Sequence, residues 1–165
     1  MYLIISGTNR KDSFTLRIAE IYQSILKNRN LETHILSLVG LDLLERNASV
    51  LDLEKKWLLP AEKYIFVSPE YNGSIPGVLK CLIDVSDTRK VWKGKKALLT
   101  GVSTGRAGNL RGMDHLTGIM HFVGTAVLPN KLPISIVDTL FKEGAFVHQE
   151  TIRLIEQQLD EFIQF

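Results

Sequence analysis

The sequence has one cysteine, no large excess of either charge and no long apolar run, and each absence argues against a class of protein. Cys81 alone cannot form a disulfide within the chain, so a disulfide-stabilised scaffold is excluded. Scattered Lys and Arg (20) nearly balance Asp and Glu (18), which gives little support for nucleic-acid binding. Apolar stretches such as residues 2–5 are far shorter than the ~20 residues that cross a bilayer. We therefore expect a cytoplasmic protein that binds neither nucleic acid nor membrane.

What is present is an ordinary globular composition, with 45% hydrophobic and 23% charged residues in 165. This predicts a single domain over residues 1–165. The histidines lack the spacing of helical metal ligands, and no metal site is expected. They are His34, His115, His121 and His148. Cys81 lies in an apolar helical pattern and is expected to pack in the core. Trp57 and Trp92 stand beside lysines near the ends of predicted elements, where half-exposed rings are expected.

Two apolar patterns alternate along the chain. Short apolar runs predict five strands, at residues 2–5, 33–38, 64–67, 96–102 and 124–128. Helical spacing predicts helices near residues 15–26, 50–59, 76–85, 109–122 and 152–163. Alternating strands and helices pair the strands in parallel through right-handed crossovers. The prediction is an α/β, flavodoxin-like, doubly wound five-stranded parallel sheet of order 2-1-3-4-5 with helices on both faces. Residues 129–146 lack a regular pattern and fit a lid, a subunit contact or a long return of the chain.

Three polar loops that contain glycine follow the first, third and fourth predicted strands. They span Ser6–Thr15, Ser68–Gly77 and Ser103–Asn109. The carboxyl ends of these strands meet at one edge of the sheet, beside the point where the strand order reverses. This is where such folds bind their ligands, so we expect the loops to converge on one crevice.

The first loop has the composition of a phosphate-binding turn. It offers the hydroxyls of Thr8, Ser13 and Thr15, the guanidinium of Arg10, and backbone N–H groups at a helix start. It is neither a Walker loop nor a dinucleotide fingerprint, because Gly-Lys-Ser/Thr and Gly-x-Gly-x-x-Gly are both absent. A hydroxyl-rich turn that only caps a helix is the alternative interpretation.

The second loop contains two prolines and two glycines around Tyr71 and Asn72. Prolines stiffen a loop and glycines allow close approach of its backbone, which suits the edge of a flat heterocycle. An ordinary strand-to-helix turn is the alternative. The third loop again combines small residues with hydroxyls, at the same edge of the predicted sheet.

These loops resemble the NADPH-dependent FMN reductase family, which includes quinone, azo-dye and chromate reductases. The family pattern Gly-Ser-x-Arg-x-x-Ser-x-Asn is similar to residues 7–15, with Thr8 and Thr15 replacing Ser and Asn. The pattern Pro-Glu-Tyr-Asn-x-Ser-x-Pro-Gly-x-Leu-Lys-x-x-x-Asp is matched over residues 69–84. The third loop matches more loosely, and Val85 and residues 39–60 depart from the family pattern.

The resemblance implies an oxidoreductase that binds FMN and takes hydride from NADPH or NADH. Electrons then pass to a quinone, free flavin or similar small acceptor. The first loop would hold the FMN phosphate, the second would line the isoalloxazine and the third would approach its pyrimidine side. The implied cofactor-binding residues are Thr8, Arg10, Ser13, Phe14, Thr15, Pro69, Glu70, Tyr71, Asn72, Gly73, Ser103, Thr104, Gly105 and Arg106. No side chain is expected to be catalytic, because the flavin carries the chemistry.

Further expectations concern mechanism and assembly. A single domain without a dinucleotide fingerprint suggests that NAD(P)H and the acceptor use one pocket in turn, with ping-pong kinetics. Tyr71 is expected to affect both half-reactions while leaving the phosphate contacts intact. The resemblance also implies a homodimer or tetramer, with Leu110 and Met113 as candidate contacts.

Two other functions stay open from the sequence. A non-enzymatic electron carrier is disfavoured by Arg10 and by the net charge of +2. An interaction protein that has kept the fold without the cofactor is the second.

Overall fold

Strands and helices alternate along the chain in a computed structural model that describes all 165 residues. The strands are β1 (Tyr2–Ser6), β2 (Thr33–Ser37), β3 (Lys63–Pro69), β4 (Lys96–Val102), β5 (Ala126–Val127), β6 (Leu132–Ile134), β7 (Phe141–Lys142) and β8 (Ala145–Phe146). The helices are α1 (Phe14–Asn28), α2 (Ala48–Leu53), α3 (Gly77–Val85), α4 (Thr88–Val91), α5 (Leu110–Phe122) and α6 (Gln149–Gln164). A π-helical turn, Glu54–Leu58, continues α2, and a 3-10 turn, Val137–Leu140, precedes the hairpin of β7 and β8.

The main sheet has the order β2-β1-β3-β4-β5, and every pair in it is parallel. This confirms the predicted doubly wound fold and strand order. The predicted fifth strand over residues 124–128 is confirmed at Ala126 and Val127, but β6, which shares the fifth position, was not predicted. β5 pairs with Lys96 and Ala97 of β4, and β6 pairs with residues 100–102 further along the same strand. The chain leaves the ladder at Pro129, which has no N–H to donate.

Alternate residues of the central strands enter two separate cores. Leu3 and Ile5 of β1 pack with α3, α5 and the region of α2, whereas Ile4 packs with α1 and α6. The buried apolar residues of α5 belong to the first core, namely Met113, Leu116 and Met120. Helices therefore cover both faces of the sheet, as predicted.

The two tryptophans, Trp57 and Trp92, differ in their burial. Trp57 is half-buried, as expected, but Trp92 is fully buried. The Trp92 ring lies 4.8 Å from that of Tyr64, centroid to centroid, and its Nε1 donates to Ser86 Oγ at 2.7 Å. The indole is buried because this hydroxyl satisfies its one polar atom. Cys81 is only partly buried and packs at the margin of the first core.

A buried polar network fastens α6 to the sheet. Gln158 accepts a hydrogen bond from Tyr22 Oη at 2.6 Å and donates to the carbonyls of Leu99 and Asn130 at 3.1 and 2.9 Å. Thr100 Oγ1 lies 2.7 Å from the same tyrosine hydroxyl. Burial raises the pKa of Tyr22 well above its ordinary value, so this hydroxyl stays protonated.

Residues 129–146 form a structured return of the chain. Ile136 adopts a left-handed backbone conformation with φ of 48°, and its N–H donates to the carbonyl of Gly105 at 3.0 Å. The N–H of Val137 donates to the carbonyl of Ser103 at the same distance. Phe141 of the hairpin packs on Phe14, with ring centroids 5.3 Å apart. The return thus supports both the third loop and the start of α1.

Candidate functional site

The three polar loops meet at the carboxyl edge of the sheet and line a cleft of about 450 Å³. This volume is typical of small-molecule sites. Most residues implied by the sequence line it, namely Arg10, Ser13, Phe14, Thr15, Pro69, Glu70, Tyr71, Asn72, Gly73, Ser103, Thr104 and Gly105. Lys11, Val102 and Val137 line it as well. Thr8 and Arg106 do not.

The start of α1 provides backbone donors to one end of the cleft. Ser13 caps the helix, since its Oγ accepts from the N–H of Leu16 at 3.2 Å. The N–H groups of Ser13, Phe14 and Thr15 donate no hydrogen bond within the chain. No acidic residue lies in the first turn. Free N–H groups at a helix start favour an anion, and Arg10 and Lys11 add positive charge.

Thr8 lies beneath this loop rather than on the surface of the cleft. Its side chain is buried, its Oγ1 accepts from the N–H of Arg10 at 3.2 Å, and it shares a hydrogen bond of 2.5 Å with Tyr71 Oη. The Arg10 guanidinium lies 4.3 Å from the centroid of the Tyr71 ring, a cation–π contact. Tyr71 thus contacts two residues of the first loop, and the expectation that its replacement leaves the phosphate contacts intact stays a prediction.

The second loop is a tight hairpin whose shape is set by its main chain. Tyr71 and Ser74 exchange backbone hydrogen bonds of 2.9 and 3.1 Å. Between them, Asn72 and Gly73 have φ angles of 53° and 78°, the left-handed conformation that Asn-Gly turns adopt. The N–H of Glu70 donates to the carbonyl of Val102, which extends the pairing of β3 with β4 into the loop. The loop can thus present its backbone groups at fixed positions.

The third loop closes on itself through Ser103. The Ser103 hydroxyl donates to the carbonyl of Gly105 at 2.8 Å and accepts from the N–H of Gly108 at 2.9 Å. This tight turn brings Gly105 to the cleft, whereas Arg106 is exposed and lies outside the lining. Val137 was missed from the sequence because its place in the lining depends on its hydrogen bond to Ser103, across a segment with no periodic pattern.

The lining residues fit FMN in their chemistry. One end carries free N–H groups, hydroxyls and cations, as a phosphate requires. The other end is built from the main chain of two loops, where a Cβ at Gly105 would meet only Ser103 Oγ, at 4.0 Å. No group of three or more His, Cys, Asp or Glu side chains is placed to hold a metal. No helix combines the length and apolar character that a membrane span needs.

Comparisons with known proteins agree with this chemistry. The family model described as NADPH-dependent FMN reductase matches residues 2–138. The chain is 26% identical to a 2-hydroxy-1,4-benzoquinone reductase of Burkholderia sp., over 96% of this chain and 92% of that protein. It is 33% identical to an NAD(P)H-dependent FMN reductase of Pseudomonas aeruginosa, over 60% of this chain and 56% of that one. The solved structure of FerB, a flavoenzyme NAD(P)H:(acceptor) oxidoreductase from Paracoccus denitrificans, superimposes with a TM-score of 0.81 at 25% identity, over 99% of this chain and 94% of FerB.

Proposed function

Because this chain belongs to the NADPH-dependent FMN reductase family, and is an oxidoreductase that uses FMN and NAD(P)H, we propose that the cleft holds FMN and serves a small electron acceptor. The acceptor is a quinone, free flavin or similar molecule. The observation that carries this proposal is the meeting of all three loops in one cleft, with unpaired helix N–H groups at one end.

The chain's own residues divide between the two ends of the cofactor. Arg10, Ser13 and Thr15, with the N–H groups of residues 13–15, bind the phosphate. The main chain of residues 69–73 and 103–105 orients the ring. When bound, FMN supplies the centre that accepts hydride from NAD(P)H and returns electrons to the acceptor. The protein contributes position and a fixed electrostatic environment.

One cleft serves both substrates in this proposal. The chain has one parallel sheet and no second nucleotide-binding loop, so NAD(P)H and the acceptor would occupy the same face of the ring in turn. Initial rates over a grid of both concentrations test this. Parallel double-reciprocal lines are expected from such a ping-pong cycle, and intersecting lines would instead require a ternary complex.

Binding of the phosphate by Arg10 is tested by Arg10→Ala. Loss of a charge-assisted partner costs about 1.5–3 kcal/mol, so FMN should bind roughly 10- to 150-fold more weakly in a fluorescence titration. Arg153→Ala is the control, because Arg153 lies exposed on α6 away from the cleft. An unchanged dissociation constant for Arg10→Ala would remove Arg10 from the phosphate site.

Two further proposals concern cellular place and assembly. We place the activity in the cytoplasm, because NAD(P)H is an intracellular electron donor. We also propose a homo-oligomer, most simply a dimer, supported by exposed apolar side chains on α5. Leu110 and Phe122 are 52% and 92% exposed.

A further inference from the structure

Asn109, which joins the third loop to α5, is an outlier in two respects. It is fully buried, and its backbone is left-handed, with φ of 62° and ψ of 35°. Side chains other than glycine adopt this conformation rarely, although asparagine tolerates it better than most. The carbonyl oxygen of its side chain is also buried without a hydrogen-bond partner. Such outliers in contact with a cleft-lining segment point to a functional constraint.

The side-chain amide of Asn109 connects the third loop to the second. Its Nδ2 donates to the main-chain carbonyls of Ser68 and Pro69, each at 3.0 Å. These carbonyls end β3, immediately before the cleft-lining residues 70–73. The orientation of the amide is fixed, because the opposite one would face Oδ1 toward both carbonyl oxygens. The donor side of the amide therefore makes the contacts that join the two loops.

Two glycines leave the space in which this side chain lies. A Cβ at Gly112 of α5 would lie 2.1 Å from Asn109 Oδ1, and one at Gly101 of β4 would lie 3.0 Å from Asn109 Cβ. A Cβ at Gly101 would also lie 2.0 Å from the carbonyl oxygen of Gly108. Gly112 of α5 is thus shaped around the Asn109 amide, whereas Gly101 of β4 accommodates chiefly the backbone of Gly108.

We propose that Asn109 is a positioning residue for the isoalloxazine ring of FMN, a step that rests on the proposed function. Asn109 does not line the cleft. It sets the spacing of the second and third loops, whose main-chain groups flank the ring. Hydrogen bonds to a rigid ring weaken steeply with small displacements of their donors. A less fixed spacing of the second and third loops therefore weakens the binding of the ring and alters its electronic environment.

Two substitutions separate the amide from the backbone conformation. Asn109→Gly keeps the left-handed conformation without cost and removes the amide. Asn109→Asp keeps the shape of the side chain but replaces the donor with oxygen. Asn30→Gly is the matched control, because Asn30 is also left-handed, with φ of 58°, but is exposed at the end of α1. Urea unfolding of each apoprotein establishes that it is folded before ligand is added.

The probes are FMN and riboflavin, which share the ring but not the phosphate. We expect Asn109→Gly and Asn109→Asp to weaken the binding of FMN and of riboflavin by the same factor, about tenfold. Both variants should also shift the absorbance maximum of the bound flavin. Arg10→Ala should weaken the binding of FMN alone, and Asn30→Gly should weaken the binding of neither ligand. Unchanged affinity and spectrum, or a loss for FMN alone, would overturn the role of Asn109. A wild-type chain that binds neither flavin would instead overturn the proposed function.

Discussion

Single side chains join parts of the cleft that lie far apart in the sequence. The hydroxyls of Thr8 and Tyr71, 63 positions apart, share one short hydrogen bond, and Arg10 lies over the same tyrosine ring. Thr8 is buried, so water cannot replace Tyr71 as its partner without a change in the loop. Tyr71, in the second loop, thereby stabilises the conformation of the first loop.

We predict that Tyr71→Phe weakens FMN binding about fivefold, the effect of one neutral hydrogen bond. Thr8→Val should weaken it at least as much, because it removes the same bond and also the acceptor of the Arg10 N–H. The double variant should be no weaker than Thr8→Val alone, because the bond that Tyr71→Phe removes is already lost there. Fluorescence titration of the three proteins measures this coupling. Tyr2→Phe is the control, since Tyr2 lies on β1 at the opposite edge of the sheet. Additive losses would contradict a shared role.

The left-handed backbone of Ile136 predicts a stabilising substitution. A β-branched residue is strained by about 1–2 kcal/mol in this conformation, and its side chain is 47% exposed. Ile136→Asn should therefore raise the unfolding free energy by about 1 kcal/mol, or the melting temperature by about 2–4 °C. Ile136→Val retains the branched side chain and should give no gain. A lower melting temperature for Ile136→Asn would show that packing outweighs strain here.

The residues of the cleft were predictable to different degrees. Asn72 and Gly73 form a turn whose local chemistry is visible in the sequence. The burial of Thr8 was not visible, because it depends on Tyr71, which belongs to another loop. The contribution of Val137 depends in the same way on a contact with Ser103. The local sequence pattern thus identified the loops that follow the strands. It did not identify the hydrogen bonds between loops, which decide which side chains face the cleft.

At the scale of elements, α6 is held by polar groups as well as by its apolar stripe. Gln158 is fully buried and bonded on both sides of its amide, to Tyr22 and to two main-chain carbonyls. Its removal would leave Tyr22 with Thr100 as its remaining partner and would deprive both carbonyls of this donor, and a buried group left unpaired costs more than its bond contributes.

We predict that Gln158→Leu lowers the unfolding free energy by about 2–4 kcal/mol, from two or more unsatisfied buried groups. Gln157→Leu is the matched control on the exposed face of the same helix, and should change stability by no more than about 0.5 kcal/mol. Urea denaturation of the apoproteins provides both values. Equal effects at the two positions would show that the network contributes no net stability.

Elements buried on both faces were the most predictable. β1, β3 and β4 show as continuous apolar runs because helices cover both sides of the sheet. The fifth position was harder, since the return of Leu132 to β4 depends on partners that local pattern does not reveal. Trp92 was misjudged for a similar reason, because Ser86 supplies its hydrogen bond.

At the scale of the whole molecule, α5 presents apolar surface that the sheet does not use. Met113, proposed with Leu110 as a subunit contact, is buried in the core, because it lies on the inward stripe with Leu116 and Met120. Leu110 and Phe122 are exposed. We therefore expect the chain to self-associate through these two side chains.

We predict a dimer in sedimentation velocity at micromolar concentration. Phe122→Asp should shift the population toward the 18.6 kDa monomer, because a charge is costly in an apolar contact. Leu154→Asp is the control, since Leu154 is also exposed, at 41%, but lies on α6, on the opposite face of the sheet from α5. A wild-type protein that sediments only as a monomer would refute the dimer.

The division of the fifth strand position between β5 and β6 also bears on aggregation. An uninterrupted edge strand exposes a row of unpaired backbone groups that can template β-pairing with another chain. Here the outer edge consists of two- and three-residue strands, separated by Pro129 and Lys131 and with Pro133 inside the second. Prolines and a lysine at such an edge deny an incoming strand a continuous ladder of donors. The interruption therefore protects the sheet against fibrillar association at its β5–β6 edge.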